Sequence, residues 1–340
     1  MRPPPGCDPN SIVLTFPVAR EFAGQRLDRF IQSRIPRLSR TRAQTIVKAC
    51  AFRTDGTRRR PSDRVRAGEV VLLVRQRFEE PETPTEFSVI HDDGDVLAVD
   101  KPAGLPVHPS ATYHRNTLTY LLRQRFGEPS PHIAHRLDRE TSGVLLCAKN
   151  PTTERLLKRR FEDRLVRKTY RAIVRGRLPP EGCIDLPIGR PAEGLHLLME
   201  TKPEGAEART RYRSLAMAHS HTLVELYPET GRQHQLRVHL AAIGHPIVGD
   251  KLYGPEGHQP FLEYIDDGMT EGLRERLGHD RHALHAHRIV VPLPFDQKFA
   301  SLSAAVDTLD ITCPLAPDML DLWRTVGGAN SAPEHQIHAS

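Results

Sequence analysis

Apolar residues recur at helical spacing from Gln25 onward: Leu27, Phe30, Ile31 and Ile35 form one stripe, and Asp28, Arg29, Gln32 and Arg34 the other. Ser39 has the chemistry of an N-cap for a second helix. In that helix Ala43, Ile46, Val47 and Cys50 face inward, and Arg40, Arg42 and Lys48 face out. Asp55-Gly56 signals a turn, and Val70-Val71-Leu72-Leu73-Val74 a buried strand. Pro3-Pro4-Pro5 and its polar neighbours predict disorder near the start, so residues 1–19 are read as a disordered or extended segment. The Glu- and Pro-rich stretch that follows the strand reads as a linker, and residues 78–85 are assigned to it.

Beyond it the pattern changes. Residues 87–91 and 96–99 read as strands joined by an Asp93-Gly94 turn, and a helix is expected over about 117–126. The apolar run Val144-Leu145-Leu146-Cys147-Ala148 is a buried strand. Asn150 and Pro151 then supply an N-cap and a first helical residue, with Leu157, Phe161 and Leu165 as the buried stripe. Residues 170–174 form another strand. Thr230-Gly231-Arg232-Gln233 has the spacing of a capping box, with Leu236, Leu240 and Ile243 continuing to a stop at Gly244. This places Arg232 and Arg237 in the first turns of one helix. Residues 255–281 read as a surface insertion, helical around 272–277, and Met319, Leu322, Trp323 and Val326 mark a closing helix. Strands and helices interleave without strict alternation, and several strands are joined by short turns. The fold class is therefore α+β with a mixed sheet.

Charge divides the chain further. Residues 20–77 hold 16 Lys and Arg against 5 Asp and Glu, a net of +11 in a chain whose total is +6, so the remainder is acidic. A basic module joined to a more neutral body favours a polyanion as partner. No apolar run approaches the roughly 20 residues that cross a bilayer, and residues 1–10 lack a signal-peptide apolar region. The expectation is a cytoplasmic protein without a membrane partner. Five scattered cysteines with no Cys-x-x-Cys pair speak against disulfides or structural zinc. His108, His132, His135, His285 and His287 match no ligand spacing, so no metal is expected.

The central chemistry lies in His135-Arg136-Leu137-Asp138-Arg139-Glu140-Thr141-Ser142-Gly143, where one Asp in a polar turn feeds the buried strand. A loop on a rigid strand is where folds display reactive side chains. Asp138 could equally pair with Arg136 or cap the turn. It is joined, in order, by Lys168-Thr169-Tyr170-Arg171-Ala172 and Gly231-Arg232-Gln233-His234-Gln235-Leu236-Arg237-Val238-His239. Asp100-Lys101-Pro102-Ala103-Gly104, Val107-His108-Pro109, Gly244-His245-Pro246-Ile247-Val248-Gly249-Asp250 and Leu284-His285-Ala286 complete the set. Together these resemble the RluA-type pseudouridine synthases, RNA-modifying enzymes that convert uridine to its carbon-linked isomer, over roughly residues 86–323. Residues 20–77 resemble the small RNA-binding module named after the fourth protein of the small ribosomal subunit, whose helix face would present Arg40, Arg42 and Lys48 to RNA phosphates.

The resemblance implies domains at 20–77 and 86–326, the second with a largely antiparallel central sheet, and a disordered tail at 327–340. It implies a monomer that needs no cofactor and modifies ribosomal RNA, with transfer RNA the alternative. Asp138 matches the nucleophile, attacking the anomeric carbon or ring carbon 6, or else assisting elimination to a glycal. Tyr170 matches a tyrosine whose implied roles are to stack on the base and to help remove a proton, and Arg136 the residue that fills the gap left by the extruded uridine. Leu284 and Ile289 match an apolar wall, with core packing alone the favoured reading for both. A nearby guanidinium favours the ionised form of a buried Asp138; Arg237 is the candidate for that partner, and Arg232, otherwise read as binding substrate, is the alternative from the same helix. The competing function is a non-catalytic RNA-binding or ribosome-assembly protein on the same fold. A zinc deaminase or a nucleotide-dependent enzyme fails for lack of its motifs.

Overall fold

The computed structural model describes residues 3–8, 11–35, 38–75, 80–110, 112–193, 195, 197–292 and 308–329. The chain divides into two compact units, residues 1–81 and 82–340.

The N-terminal unit packs α1 (Leu27–Arg34) and α2 (Arg40–Cys50) on a three-stranded antiparallel sheet of β1 (Ile12–Pro17), β2 (Ala51–Phe52) and β3 (Val70–Arg75), in the order β1-β3-β2. Ser39 caps α2 as its chemistry predicts, its hydroxyl accepting from the Arg42 N–H. Leu27, Phe30, Ile31 and Val47 are fully buried against Val71 and Leu73. Two details depart from the sequence reading. Residues 12–17, taken as part of a disordered or extended leader, pair with β3 along their whole length, because their apolar residues complete the sheet's edge. Asp28, placed on the polar stripe, is buried; Arg26 and Gln44 donate to its carboxylate and hold it well below the usual carboxylate range, at about 2. Part of the expected linker, residues 78–79, and most of the expected tail, from residue 330, lie outside the described residues.

The second unit is built on one large sheet. Its elements run β4 (Ser88–Asp92), β5 (Val96–Lys101), α3 (Leu118–Phe126), β6 (His132–Ile133), β7 (Ser142–Ala148), α4 (Pro151–Glu162), β8 (Arg167–Arg175) and β9 (Glu181–Asp185). There follow β10 (Ile188–Gly189), β11 (Glu200–Thr201), β12 (Arg209–Ala218), β13 (His221–Pro228), α5 (Gln235–Ala242), α6 (Gln259–Asp267), α7 (Glu271–Leu277), β14 (Leu284–Pro292), β15 (Thr308–Thr312) and α8 (Pro317–Thr325). The sheet order is β4-β5-β7-β14-β8-β13-β12-β9, with β6 added on β7 and β15 on β14. Every pairing in it is antiparallel except β7 with β14. The fold is α+β with a mixed, largely antiparallel sheet. One core packs α3 and α4 on β5 and β7, and a second packs α5 and α8 on β8 and β13.

Local signals explain most boundaries. Asn150 accepts from the Thr153 N–H with Pro151 at the first helical position, which starts α4 after the buried strand β7. Leu165, expected on the same helix, lies past its end at Glu162. The capping box at Thr230 does not form. The Thr230 hydroxyl donates to the Gln235 side-chain oxygen, and the Gln235 amide reaches Arg209 O and Thr210 Oγ1 on β12. The polar signature thus ties a loop to the sheet, and α5 starts later, after His234 in a left-handed conformation. The 255–281 insertion carries a second helix, α6, which Pro255 and the surrounding glycines conceal.

Candidate active site

Asp138 sits at the tip of the loop between β6 and β7, where the sheet changes from antiparallel to parallel pairing. The turn that follows is fixed by backbone geometry. Gly143 has φ of +107°, and a Cβ there would lie 2.2 Å from the Ala286 carbonyl oxygen of β14. Only glycine permits this approach, which brings β7 and β14 into register beside the loop.

Side chains from distant parts of the chain hold the same turn. The Thr141 N–H donates to the Asp138 carbonyl, and Thr141 Oγ1 is 2.8 Å from His282 Nε2. Ser142 Oγ is 2.9 Å from His285 Nδ1. Arg281 donates to the Glu140 carbonyl and the Ser142 hydroxyl while its other edge holds Asp318 of α8. Lys101, fully buried, donates to the carbonyls of Pro102, Leu105 and Arg139, and burial pushes its ammonium down to about 7.

The Asp138 carboxylate, a quarter exposed, meets Arg237 from α5, whose Nη1 donates to Oδ2 at 3.1 Å. Arg237 is in turn clamped by buried Asp250, with Nε to Oδ2 at 2.7 Å and Nη2 to Oδ1 at 2.8 Å. Asp250 also accepts the Leu252 and Tyr253 N–H groups, and the guanidinium lies 5.0 Å from the Tyr253 ring centre. Burial alone would raise the Asp138 pKa, yet it is lowered by His234, Arg237 and His282. His234 is itself pushed down to about 4 by burial, so near neutral pH it carries no charge and the work falls to Arg237. Opposite charges about 4 Å apart attract by roughly 4 kcal/mol at an effective dielectric of 20, enough to outweigh moderate desolvation. The result is a carboxylate kept ionised in a partly dry site.

The cavity in front of Asp138 has a volume of about 510 Å³ and is walled by Tyr170 of β8 and Leu284 of β14, with Arg136 and Arg232 at its lining. It is large enough for a nucleoside. Burial and the Asp138 charge push the Tyr170 phenol up, so it stands protonated.

The sequence profile of the RNA pseudouridylate synthase family matches residues 95–242. An uncharacterized RNA pseudouridine synthase of Chloroflexus aurantiacus is 41% identical over 244 residues, 68% of this chain and 76% of that protein. The ribosomal large subunit pseudouridine synthase D of Neisseria meningitidis serogroup B is 34% identical over 306 residues, 87% of this chain and 79% of the relative. The chain belongs to the RNA pseudouridine synthases. Among solved structures, human RNA pseudouridylate synthase domain containing 4 superimposes with a TM-score of 0.53 at 28% identity, covering 70% of this chain and 92% of that one.

In this synthase the structure brings Asp138, Tyr170, Arg237, Leu284 and Arg136 to one cavity. It decides between the two arginines: Arg232 precedes α5, is exposed, and donates its Nε to the Glu207 carbonyl, so Arg237 is the partner of Asp138. Arg136 does not pair with Asp138; it is exposed and has no hydrogen bond or ion pair among the described residues. Ile289 packs in the core of the unit and does not line the cavity. Arg40, Arg42 and Lys48 lie on the exposed side of α2 in the other unit. Among the described residues no group of His, Cys, Asp and Glu is arranged to hold a metal ion.

Sequence reasoning passed over Asp250, His234, Tyr253 and His282. Asp250 closes the Gly244–Asp250 motif, and its burial with two backbone N–H donors makes it the anchor of Arg237. The available signal was an acid in a motif with no other stated use.

Proposed function

We propose that this synthase isomerises uridine in large-subunit ribosomal RNA with Asp138 as its nucleophile, and that the N-terminal unit is an RNA-binding module of the small-ribosomal-protein type. The observation that carries the reading is the chain Asp138–Arg237–Asp250, which keeps one carboxylate ionised at the mouth of a nucleoside-sized cavity. Attack at the anomeric carbon, attack at ring carbon 6 and assisted elimination all require that ionised carboxylate. Breaking the nitrogen–carbon bond frees the base, which must turn while held before carbon 5 bonds to the ribose.

Tyr170 and Leu284 are suited to hold it, one by its ring face and one by apolar contact. Because the phenol stands protonated, its first role in this reading is to stack rather than to take a proton. Arg136, exposed at the rim, is free to enter the space left by the extruded uridine, offsetting part of a flipping cost of a few kcal/mol.

The preference for ribosomal RNA rests on the Neisseria relative, whose name states that substrate and whose alignment is longer than residues 82–340 and so extends into the N-terminal unit. Arg40, Arg42 and Lys48 on α2 would meet RNA phosphates there, supplying placement rather than chemistry. Tritium release from RNA labelled at uracil carbon 5 tests the proposal. Wild-type protein should release tritium from ribosomal RNA and not from transfer RNA, and Asp138→Asn should release none from either. Turnover by Asp138→Asn would remove the nucleophile assignment, and release from transfer RNA alone would remove the substrate assignment.

A further inference from the structure

Lys168 stands on β8 two residues before Tyr170, and both line the cavity in front of Asp138. The pleat turns residues two apart to one face, roughly 6.6–7 Å from each other along the strand. Its ammonium has no hydrogen bond or ion pair among the described residues. It reaches across to the loop before α5, where a Cβ on Gly231 would lie 3.7 Å from Nζ. Desolvation lowers its pKa.

Of the other cations that line the cavity, Arg136 stands exposed at the rim and the remaining arginines are already engaged. Arg237 holds two carboxylates, Arg232 holds the Glu207 carbonyl, and Arg164 is 3.4 Å from the Glu207 carboxylate. Glu229, on the same wall, pairs with Arg211. A half-buried ammonium left without an anion lowers stability, so its presence in this cavity points to an anion that arrives with the ligand.

We propose that Lys168 binds the backbone phosphate of the uridine that enters the cavity. This deepens the reading given above and rests on a uridine of RNA occupying the site. The spacing fits: with the base against Tyr170, a phosphate of the same nucleotide standing about one strand repeat away would come to the level of Lys168. The contact is sequence-independent. It fixes where along the RNA the extruded nucleotide sits, whereas Tyr170 and Leu284 see the base itself.

The test uses the full-length protein and a ribosomal RNA transcript, with tritium release for turnover and fluorescence anisotropy for binding. Replacing a charge-assisted hydrogen bond by an apolar chain of similar length, Lys168→Met should raise KM and Kd about tenfold and leave kcat within about threefold. The slope of log Kd against log salt should flatten by about 0.7, the value for one phosphate on a single strand. Because an unpaired charge is removed, Tm should stay level or rise, the opposite of what loss of a structural contact gives. Lys168→Arg should restore most of the affinity.

An unchanged Kd and salt slope for Lys168→Met would overturn the proposal, as would a loss of kcat at unchanged KM or a fall in Tm. Anisotropy reports the contact without turnover. If Asp138→Asn proves active, the nucleophile assignment falls while the Lys168 result stands; if Kd is unmoved, the phosphate contact falls while the nucleophile assignment stands.

Discussion

Asp250→Asn isolates the hidden half of the site. Asp250 does not itself line the cavity; it clamps Arg237, which does, with two charge-assisted bonds while accepting two backbone N–H groups. Burial would raise its pKa, but Arg237 and the backbone donors prevail and hold it at about 2, against an ordinary 3.8. At roughly 1.4 kcal/mol for each tenfold change in proton affinity, the ionised form contributes about 2 kcal/mol to stability. Because the folded value is the lower one, that contribution is fully present above about pH 4 and is lost as pH falls through about 2. For a unit of this size the loss corresponds to roughly 4–8 °C in Tm. Asn keeps the shape and one acceptor, so at neutral pH Tm should drop by that amount, and the wild-type and variant curves should draw together below pH 4 and meet only near pH 2. Activity should fall much further than stability, since Arg237 loses the geometry that keeps Asp138 ionised. Thermal unfolding across pH 2–7 together with tritium release provides the check. A variant with wild-type Tm at neutral pH and wild-type kcat would refute the clamp.

Two further predictions follow from the same geometry. Gly143→Ala drives a methyl into the Ala286 carbonyl at a positive φ, so β7 and β14 must separate; soluble yield and Tm should both fall, by more than 3 kcal/mol in a urea titration, and a variant within 1 kcal/mol of wild type would contradict the close approach. The pH profile of kcat/KM should show no acid limb near the usual histidine value, because His234 is already neutral and Asp138 already ionised there; a limb at about 6.5 would mean that a histidine must titrate for turnover.

What the sequence disclosed depended on distance along the chain. Ser39 and Asn150 act within three residues of themselves, and both caps were readable. The turn that carries Asp138 was legible because turn and strand are contiguous. Arg237 was preferred, but Arg232 stayed open as the alternative because the decision rests on where α5 begins, and that is fixed by Gln235 reaching β12, some 25 residues earlier. All of Gln235–Leu240 is buried, so no amphipathic stripe marks which arginine turns inward. Asp28 misled for a related reason. An acid on a helix reads as solvent-facing unless its partners are known, and Gln44 comes from the next helix. The basic excess of residues 20–77 was plain from composition, whereas the sheet that uses residues 12–17 became visible only with the pairing of β1.

The bracing of the Asp138 turn has a consequence in time. Thr141 meets His282, and Ser142 meets His285, across 141 and 143 residues of chain. At synthesis rates of about 5–20 residues per second, roughly 7–30 seconds separate the emergence of the Asp138 turn from that of the side chains that hold it. During that interval the loop has no β14 to lie against. A nascent chain therefore carries the Asp138 carboxylate without the scaffold that aims it, and the cavity wall is completed near the end of synthesis.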